Sequence, residues 1–236
     1  FAEIPRMSQS RLLAAIEDED GRTVKSLLRD EPSLATLPIR KAKLYRTKIN
    51  HWIYVGDTPL HLAAAGYRVE IVRLLLAFGA DPNSTLNHRE SGPLHYAADT
   101  CLTSKAWSAA RQVETIQCLL KAGAEINAQD KNGATPLHRA VRTRGAEAVR
   151  CLLDAGADPL LRNKPGSTAF HLAVQNTGRG GSGTEAAKAA QREIIQLFVS
   201  RGFSVGLKDS RGKTVLDSAR SEWIREMFRN RNRRTN

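Results

Sequence analysis

The sequence predicts an all-α solenoid, a row of short helix pairs stacked one upon the next. The phrase Gly133-Ala134-Thr135-Pro136-Leu137-His138 returns as Gly56-Asp57-Thr58-Pro59-Leu60-His61 and, reduced, as Ser91-Gly92-Pro93-Leu94-His95. It returns again as Gly166-Ser167-Thr168-Ala169-Phe170-His171 and Gly212-Lys213-Thr214-Val215-Leu216-Asp217. A second phrase answers it at Leu75–Asn83, Leu119–Asn127 and Leu152–Pro159, each holding a Gly-Ala pair after a Leu-Leu helix end. Positions 58, 92, 135, 168 and 214 are 34, 43, 33 and 46 residues apart. Units repeated this way bury their apolar faces against their neighbours and share one continuous core. No run approaches the roughly 18–20 apolar residues of a membrane span, so no membrane partner is expected.

The first unit lacks the phrase. Ser10 caps a helix through Ile16, Gly21 breaks it, and Thr23–Leu28 forms a second helix that Pro32 ends. Its polar character suits a terminal cap. The acidic run Glu17-Asp18-Glu19-Asp20 at the turn reads as a solvated loop. Between Pro32 and Thr58 lies a stretch about twice the expected length, Arg40 to Val55, with five cations from 37 to 55 and no acid. Leu44, Tyr45, Ile49, Trp52, Ile53 and Val55 suggest extended strands, an enlarged hairpin that either packs on the first repeat or faces a partner. In each full repeat Thr caps an inner helix whose first turn tolerates Pro, a short turn follows, and a Gly such as Gly79 stops the outer helix.

From the phrase His to the closing Gly the count is 18 for His61–Gly79 and His138–Gly156, but 28 for His95–Gly123 and 31 for His171–Gly202. The extra residues therefore sit between inner and outer helices, near 99–110 and 175–187. Lys213 to Phe228 forms a closing helix pair, and an arginine-rich tail follows.

A period near 33 around a T-P-L-H-x-A core resembles the ankyrin-repeat family, from about Ser8 to the end of the chain. The resemblance implies an ankyrin-repeat solenoid of helix-turn-helix repeats with β-hairpin fingers. Its expected divisions are an N-terminal cap at 8–33, a basic aromatic finger insertion at 34–55, four repeats at 56–207, a C-terminal cap at 208–228 and a basic tail at 229–236. It also implies that His61, His95, His138 and His171 hydrogen-bond the next finger's backbone, and that Asp57, Asp130 and Asp209 tie down the fingers. His51 and His88, in fingers, are expected to be exposed. A concave partner-binding face would then comprise His88, Arg89 and Ser91, then Lys131, Asn132 and Ala134, then Lys164, Pro165 and Ser167, with Arg211 and Lys213 in the last finger. The inner helices would add Ala65, Asp99, Arg142, Thr143, Gln175 and Asn176, and the enlarged hairpin Arg46, Lys48, Trp52 and Tyr54.

The net charge of +12 is uneven: residues 37–55 carry +5 and residues 201–236 carry +6. Such asymmetry speaks of partners rather than of fold. Three cysteines make no disulfide scaffold. Cys118 and Cys151 fall at equivalent places in successive repeats, roughly 10 Å apart, beyond the ~7 Å reach of a bridge; reduced thiols and an intracellular, cytoplasmic setting are expected. The four phrase histidines belong to four repeats, so no shared metal is expected. Gly178–Gly183 matches G-x-G-x-x-G, but an inner helix precedes it instead of a strand, and a plain loop is the reading. No nucleophile motif occurs, and Asp81 and Asp158 fall in turns where Asp bonds its own backbone.

The chain is thus expected to be a non-catalytic, monomeric protein-binding module with no cofactor and no small-molecule substrate, taking a partner with an acidic surface. One alternative is nucleic acid, bound through the basic hairpin and finger ridge. Another is a regulatory or targeting subunit of an enzyme. The chain opens on Phe1 rather than methionine, as a piece of a longer protein would.

Overall fold

A computed structural model describes residues 4–46, 48–101, 107–175 and 184–232. Twelve α-helices are described, and they alternate between two rows. The N-terminal pair is α1 (Ile4–Glu17) and α2 (Gly21–Asp30), followed by a 3-10 turn at Pro32–Ala35. The inner row continues with α3 (Pro59–Ala65), α5 (Pro93–Ala98), α7 (Pro136–Arg142), α9 (Ala169–Ala173) and α11 (Val215–Ser218). The outer row holds α4 (Val69–Ala77), α6 (Ala109–Lys121), α8 (Ala146–Asp154), α10 (Glu185–Ser200) and α12 (Glu222–Asn232). Helix α1 packs on α3 and α2 on α4, and each row then stacks in chain order through α9 and α10. Among the described residues no helix is long and apolar enough to cross a membrane.

The recurring phrase builds each inner helix the same way. Thr58 sits in extended backbone as the N-cap and Pro59 follows in the first turn, where its missing N–H leaves nothing unpaired. His61 Nδ1 accepts from the Thr58 N–H at 3.0 Å, and the Thr135–His138 pair repeats the arrangement. Gly92 has no hydroxyl, so only the histidine half survives there, with the Gly92 N–H reaching His95 Nδ1 at 3.2 Å.

The other ring nitrogen crosses to the next unit. Nε2 donates to Ser91 O from His61 at 2.9 Å, to Ala134 O from His95 at 3.0 Å, to Ser167 O from His138 at 3.1 Å and to Lys213 O from His171 at 3.1 Å. Each histidine thus satisfies a helix cap and the next finger at once, which explains its burial as a polar side chain. Nδ1 accepts and Nε2 donates only in the neutral ring. Burial enforces that state, pulling the pKa of His61 and of His95 down to about 4.

The apolar core runs through the stack without a break, from Leu12 and Leu28 in the cap to Ile224 in α12. Phe170 and Phe198 stack 4.9 Å apart where α9 meets α10. Cys101, Cys118 and Cys151 are half-buried and form no disulfide among the described residues. The turn carboxylates behave as expected: Asp81 Oδ1 accepts from the Asn83 N–H and Asp158 Oδ1 from the Leu160 N–H, both at 2.8 Å.

The enlarged first finger is a hairpin, with β1 (Lys43–Tyr45) antiparallel to β2 (His51–Ile53) and Leu44 opposite Trp52. Most of its apolar residues pack on the stack, the first of the two arrangements the sequence allowed. Tyr45, Ile49 and Ile53 are buried in the core, whereas Trp52 is 49% exposed. The Gly178–Gly183 motif, Asn176 and parts of both insertions (102–106 and 176–183) lie outside the described residues, as does the tail beyond 232.

Candidate partner-binding site

The fingers form a comb tied together by backbone hydrogen bonds. The Lys131 N–H donates to Arg89 O at 2.8 Å, the Lys164 N–H to Asn132 O at 2.9 Å and the Ser210 N–H to Gly166 O at 3.1 Å. One side chain closes each tip. Asp130 Oδ1 accepts from the Asn132 and Ala134 N–H groups, and Asp209 Oδ1 from those of Arg211 and Lys213. Asn87 and Asn163 do the same work in the second and fourth fingers. Asp57 does not belong to this set. It is fully buried beside Thr58, accepting from the Tyr54 N–H of the first finger and from the Tyr96 hydroxyl, so it holds its finger from a different position than Asp130 and Asp209 do.

Tied this way, the comb leaves Lys131, Asn132, Lys164, Arg211 and Lys213 exposed at the tips, with Pro165 beside them. Among the described residues no carboxylate lies within 4 Å of any of the four cations. Ala65, Ser91 and Ser167, expected on the partner face, are buried instead. The carbonyls of Ser91 and Ser167 accept the histidine bonds above, and Ser91 Oγ accepts from Arg139. Ala134, Thr143 and Gln175 are half-buried.

At the hairpin the acidic run is not a free solvated loop. Glu17 lies 3.5 Å from Lys43, Asp18 lies 2.6 Å from Lys48, and Glu19 pairs with Arg68 at 2.7 Å and with Arg111. The physical reason is proximity: α1 packs beside α3, which carries the α1–α2 turn under the basic strands. Lys48, a candidate partner residue, is therefore already engaged, while Arg46 is exposed. Trp52 stacks on Tyr54 at 6.4 Å, His88 meets the Tyr54 ring edge-on at 4.9 Å, and the Arg89 guanidinium lies over it at 5.4 Å. Four of the expected site residues thus form one cluster, spanning the first two fingers.

Behind this cluster is a recess of about 380 Å³ lined by the hairpin (Asn50, His51, Trp52, Tyr54), Arg89, Asp99, Arg139 and Arg142. His51 is not exposed as expected. Its Nε2 lies 3.2 Å from Asp99 Oδ2, and its ring packs 4.8 Å from Tyr96. Arg139, 3% exposed, donates to Asp99 at 2.8 Å, to Ser91 Oγ at 2.8 Å and to Asp130 at 3.2 Å. Arg142 stands 3.7 Å from the other Asp99 oxygen. Burial by itself would raise the Asp99 pKa, but Arg139, His51 and Arg142 outweigh it and hold the carboxyl below its usual range. Burial dominates at Asp57, where the pKa rises to about 6.

Tyr96 and Arg139 were missed at the level of sequence, although a signal was present. Both stand directly after the phrase histidine, where the first and fourth repeats put Leu62 and Leu172. A polar side chain replacing a core leucine in a repeat marks a buried network. Its partners, Asp57 and Asp99, cannot be read from the repeat.

A family profile described as ankyrin repeats in three copies matches residues 104–182, and a single ankyrin-repeat profile matches residues 55–87. The mouse NF-kappa-B inhibitor delta is 33% identical over 144 residues, 59% of this chain and 40% of that protein. The human NF-kappa-B inhibitor alpha is 31% identical over 140 residues, 58% of this chain and 42% of that protein. A probable serine/threonine-protein kinase of Dictyostelium discoideum is 31% identical over 142 residues, 60% of this chain and 15% of that protein. The matched part of this chain thus spans less than half the length of each of these relatives.

Proposed function

Since this chain is an ankyrin-repeat protein, we infer that it is a non-catalytic interaction module that grips an acidic segment of a protein partner along its finger tips and concave face. Ankyrin repeats mediate protein–protein interaction, and two relatives are named as inhibitors of NF-kappa-B; a regulatory role by binding is the matching reading for this chain. The kinase relative is matched over 15% of its length, too little to carry its activity across.

One observation supports the acidic partner above others. Most cations on the outer row are paired with acids, as Arg73 is with Glu114 at 2.6 Å and Arg150 with Glu193 at 2.7 Å, Lys121 and Arg192 being exceptions among the described residues. Lys131, Lys164, Arg211 and Lys213 are not so paired among the described residues, yet they stand in register on a backbone ladder. A row of unpaired charge of one sign steers and orients an oppositely charged partner. The nucleic-acid reading loses support at the hairpin, where Lys43 and Lys48 already face Glu17 and Asp18.

The test is a triple reversal, Lys131→Glu, Lys164→Glu and Arg211→Glu, compared with a control reversal of Lys121→Glu on the outer row. Proteins captured from extract by the parent chain should carry acidic segments, should be retained by the control and should be lost from the triple variant. Capture unchanged by the triple variant would sink the reading. So would sub-micromolar oligonucleotide binding near physiological salt that the triple variant abolishes.

A further inference from the structure

Two recesses open between the fingers and the inner helices, one toward each end of the comb. The first is the 380 Å³ recess under the hairpin, with Arg89 and Arg142 at its edge and Trp52 as an exposed apolar wall. Its deeper charges are occupied, because Arg139 is shared between Asp99 and Asp130. The second, of about 400 Å³, lies between the fourth and last fingers and includes Arg211, Lys213 and Arg220. Its two acids are also occupied: Asp209 closes the finger tip and Asp217 accepts from the Thr214 N–H. Among the described residues no carboxylate lies within 4 Å of Arg89, Arg211, Lys213 or Arg220. The acids of each recess are thus engaged within the chain, Asp99 through Oδ2 with its Oδ1 3.7 Å from Arg142. Each recess is also lined by a cation with no carboxylate beside it, Arg89 in the first and Arg211, Lys213 and Arg220 in the second.

We propose that the two recesses are paired anchor sites for one extended acidic segment, each taking an oxyanion-bearing side chain, a carboxylate or a phosphoryl group. The proposal rests on the reading of the chain as a module for acidic segments and adds the spacing such a segment must have. The first recess is built on α5 and α7 and the second on α9 and α11, so their centres lie two steps apart along the inner row. Packed helices are about 8–10 Å apart, which places the anchors roughly 16–20 Å apart. An extended chain advances about 3.3 Å per residue, so the two acidic side chains belong five or six positions apart. Anchors joined by a short linker act at an effective concentration near millimolar. A correctly spaced pair should then bind far more tightly than either acid alone.

The probes are fluorescein-labelled synthetic peptides with two glutamates separated by two to ten positions in a neutral Gly/Ser/Ala background, plus single-glutamate controls. Anisotropy is read at about 0.15 M salt, where the Debye length of roughly 8 Å screens generic attraction. Affinity should peak at a separation of five or six, at least tenfold above the single-glutamate peptides. Arg142→Gln or Trp52→Ala at the first recess, and Arg220→Gln at the second, should each bring the best peptide down to the single-glutamate level and flatten the spacing profile. Melting curves check that the variants are folded, and Trp52 and Arg220, both exposed, keep the test independent of the Asp99 network. Phosphoserine in place of each glutamate separates the two oxyanions, since tighter binding at the same separation assigns a phosphoryl group and equal or weaker binding a carboxylate.

Affinity that follows the number of acids regardless of spacing, or no binding by any peptide, overturns the proposal. If spacing is irrelevant but reversal at Lys131 and Lys164 still abolishes partner capture, the recesses are wrong and the module reading stands. If tip reversal leaves capture untouched, the module reading fails independently.

Discussion

Arg139 occupies a position where the first and fourth repeats place leucine, and its surroundings explain how a cation survives there. It is nearly inaccessible, yet two carboxylates and a hydroxyl lie within 3.2 Å of its guanidinium nitrogens. A buried pair adds little net stability over an apolar replacement, but removing one member leaves the other charge uncompensated. Arg139→Leu, which restores the repeat's usual residue, should therefore destabilise the chain by about 3–5 kcal/mol in chemical denaturation. Adding Asp99→Asn should recover part of that loss by removing one orphaned charge. Destabilisation below about 1 kcal/mol for the single variant would mean that the network is not maintained in solution. Arg144 shows the other solution to the same problem: buried with no acid paired to it among the described residues, it donates to the carbonyls of Ala173 and Gln175, and desolvation lowers its pKa to about 10.

The fingers illustrate how an element depends on a backbone state. Gly56 has φ +91° and lies so close to the next finger that a Cβ there would collide with the Leu86 carbonyl oxygen. Both constraints fall on backbone that cannot step aside. Gly56→Ala should cost about 1–3 kcal/mol and raise hydrogen exchange in the second finger, whereas Gly21→Ala, with open space around it, should not. Equal effects at the two glycines would refute the close approach. The hairpin's ion pairs stand at the opposite extreme. Lys48 and Asp18 are 54% and 59% exposed in their side chains, so their bond at 2.6 Å contributes at most about 1 kcal/mol. Its consequence is electrostatic: it reduces the charge that the hairpin can present to a partner.

For the molecule as a whole, stability should depend on pH through the phrase histidines. Burial sets the folded pKa of His61 and of His95 at about 4, against 6.5 for the free side chain, and lowers that of His138 as well. A lowered histidine contributes stability that is present above the unfolded value and lost as pH falls toward the folded one. Asp57 acts in the opposite sense. Its folded pKa of about 6, against 3.8, favours the fold at low pH and loses that contribution as pH rises through 6. Three histidines outweigh one aspartate, so unfolding free energy should fall between pH 6.5 and 4. Asp57→Asn should be more stable than the parent at pH 7, with the advantage gone by pH 4. An advantage independent of pH would show that Asp57 is not the titrating group.

The repeat architecture was legible because it is local and periodic. A Thr-Pro start, a histidine three residues into each repeat and a closing glycine act within one unit or between a unit and its neighbour, and their spacing is written in the chain. The tip residues from Lys131 to Lys213 could be named for the same reason. What could not be read were contacts made where the period breaks. The hairpin insertion has no counterpart in the other repeats, so nothing in its sequence says that Lys48 meets Asp18 or that His51 meets Asp99, 48 residues away. Those pairings depend on the path of the inserted chain across two packed units. That path follows from burying Tyr45, Ile49 and Ile53 together in the shared core, a condition satisfied only when the stack is assembled.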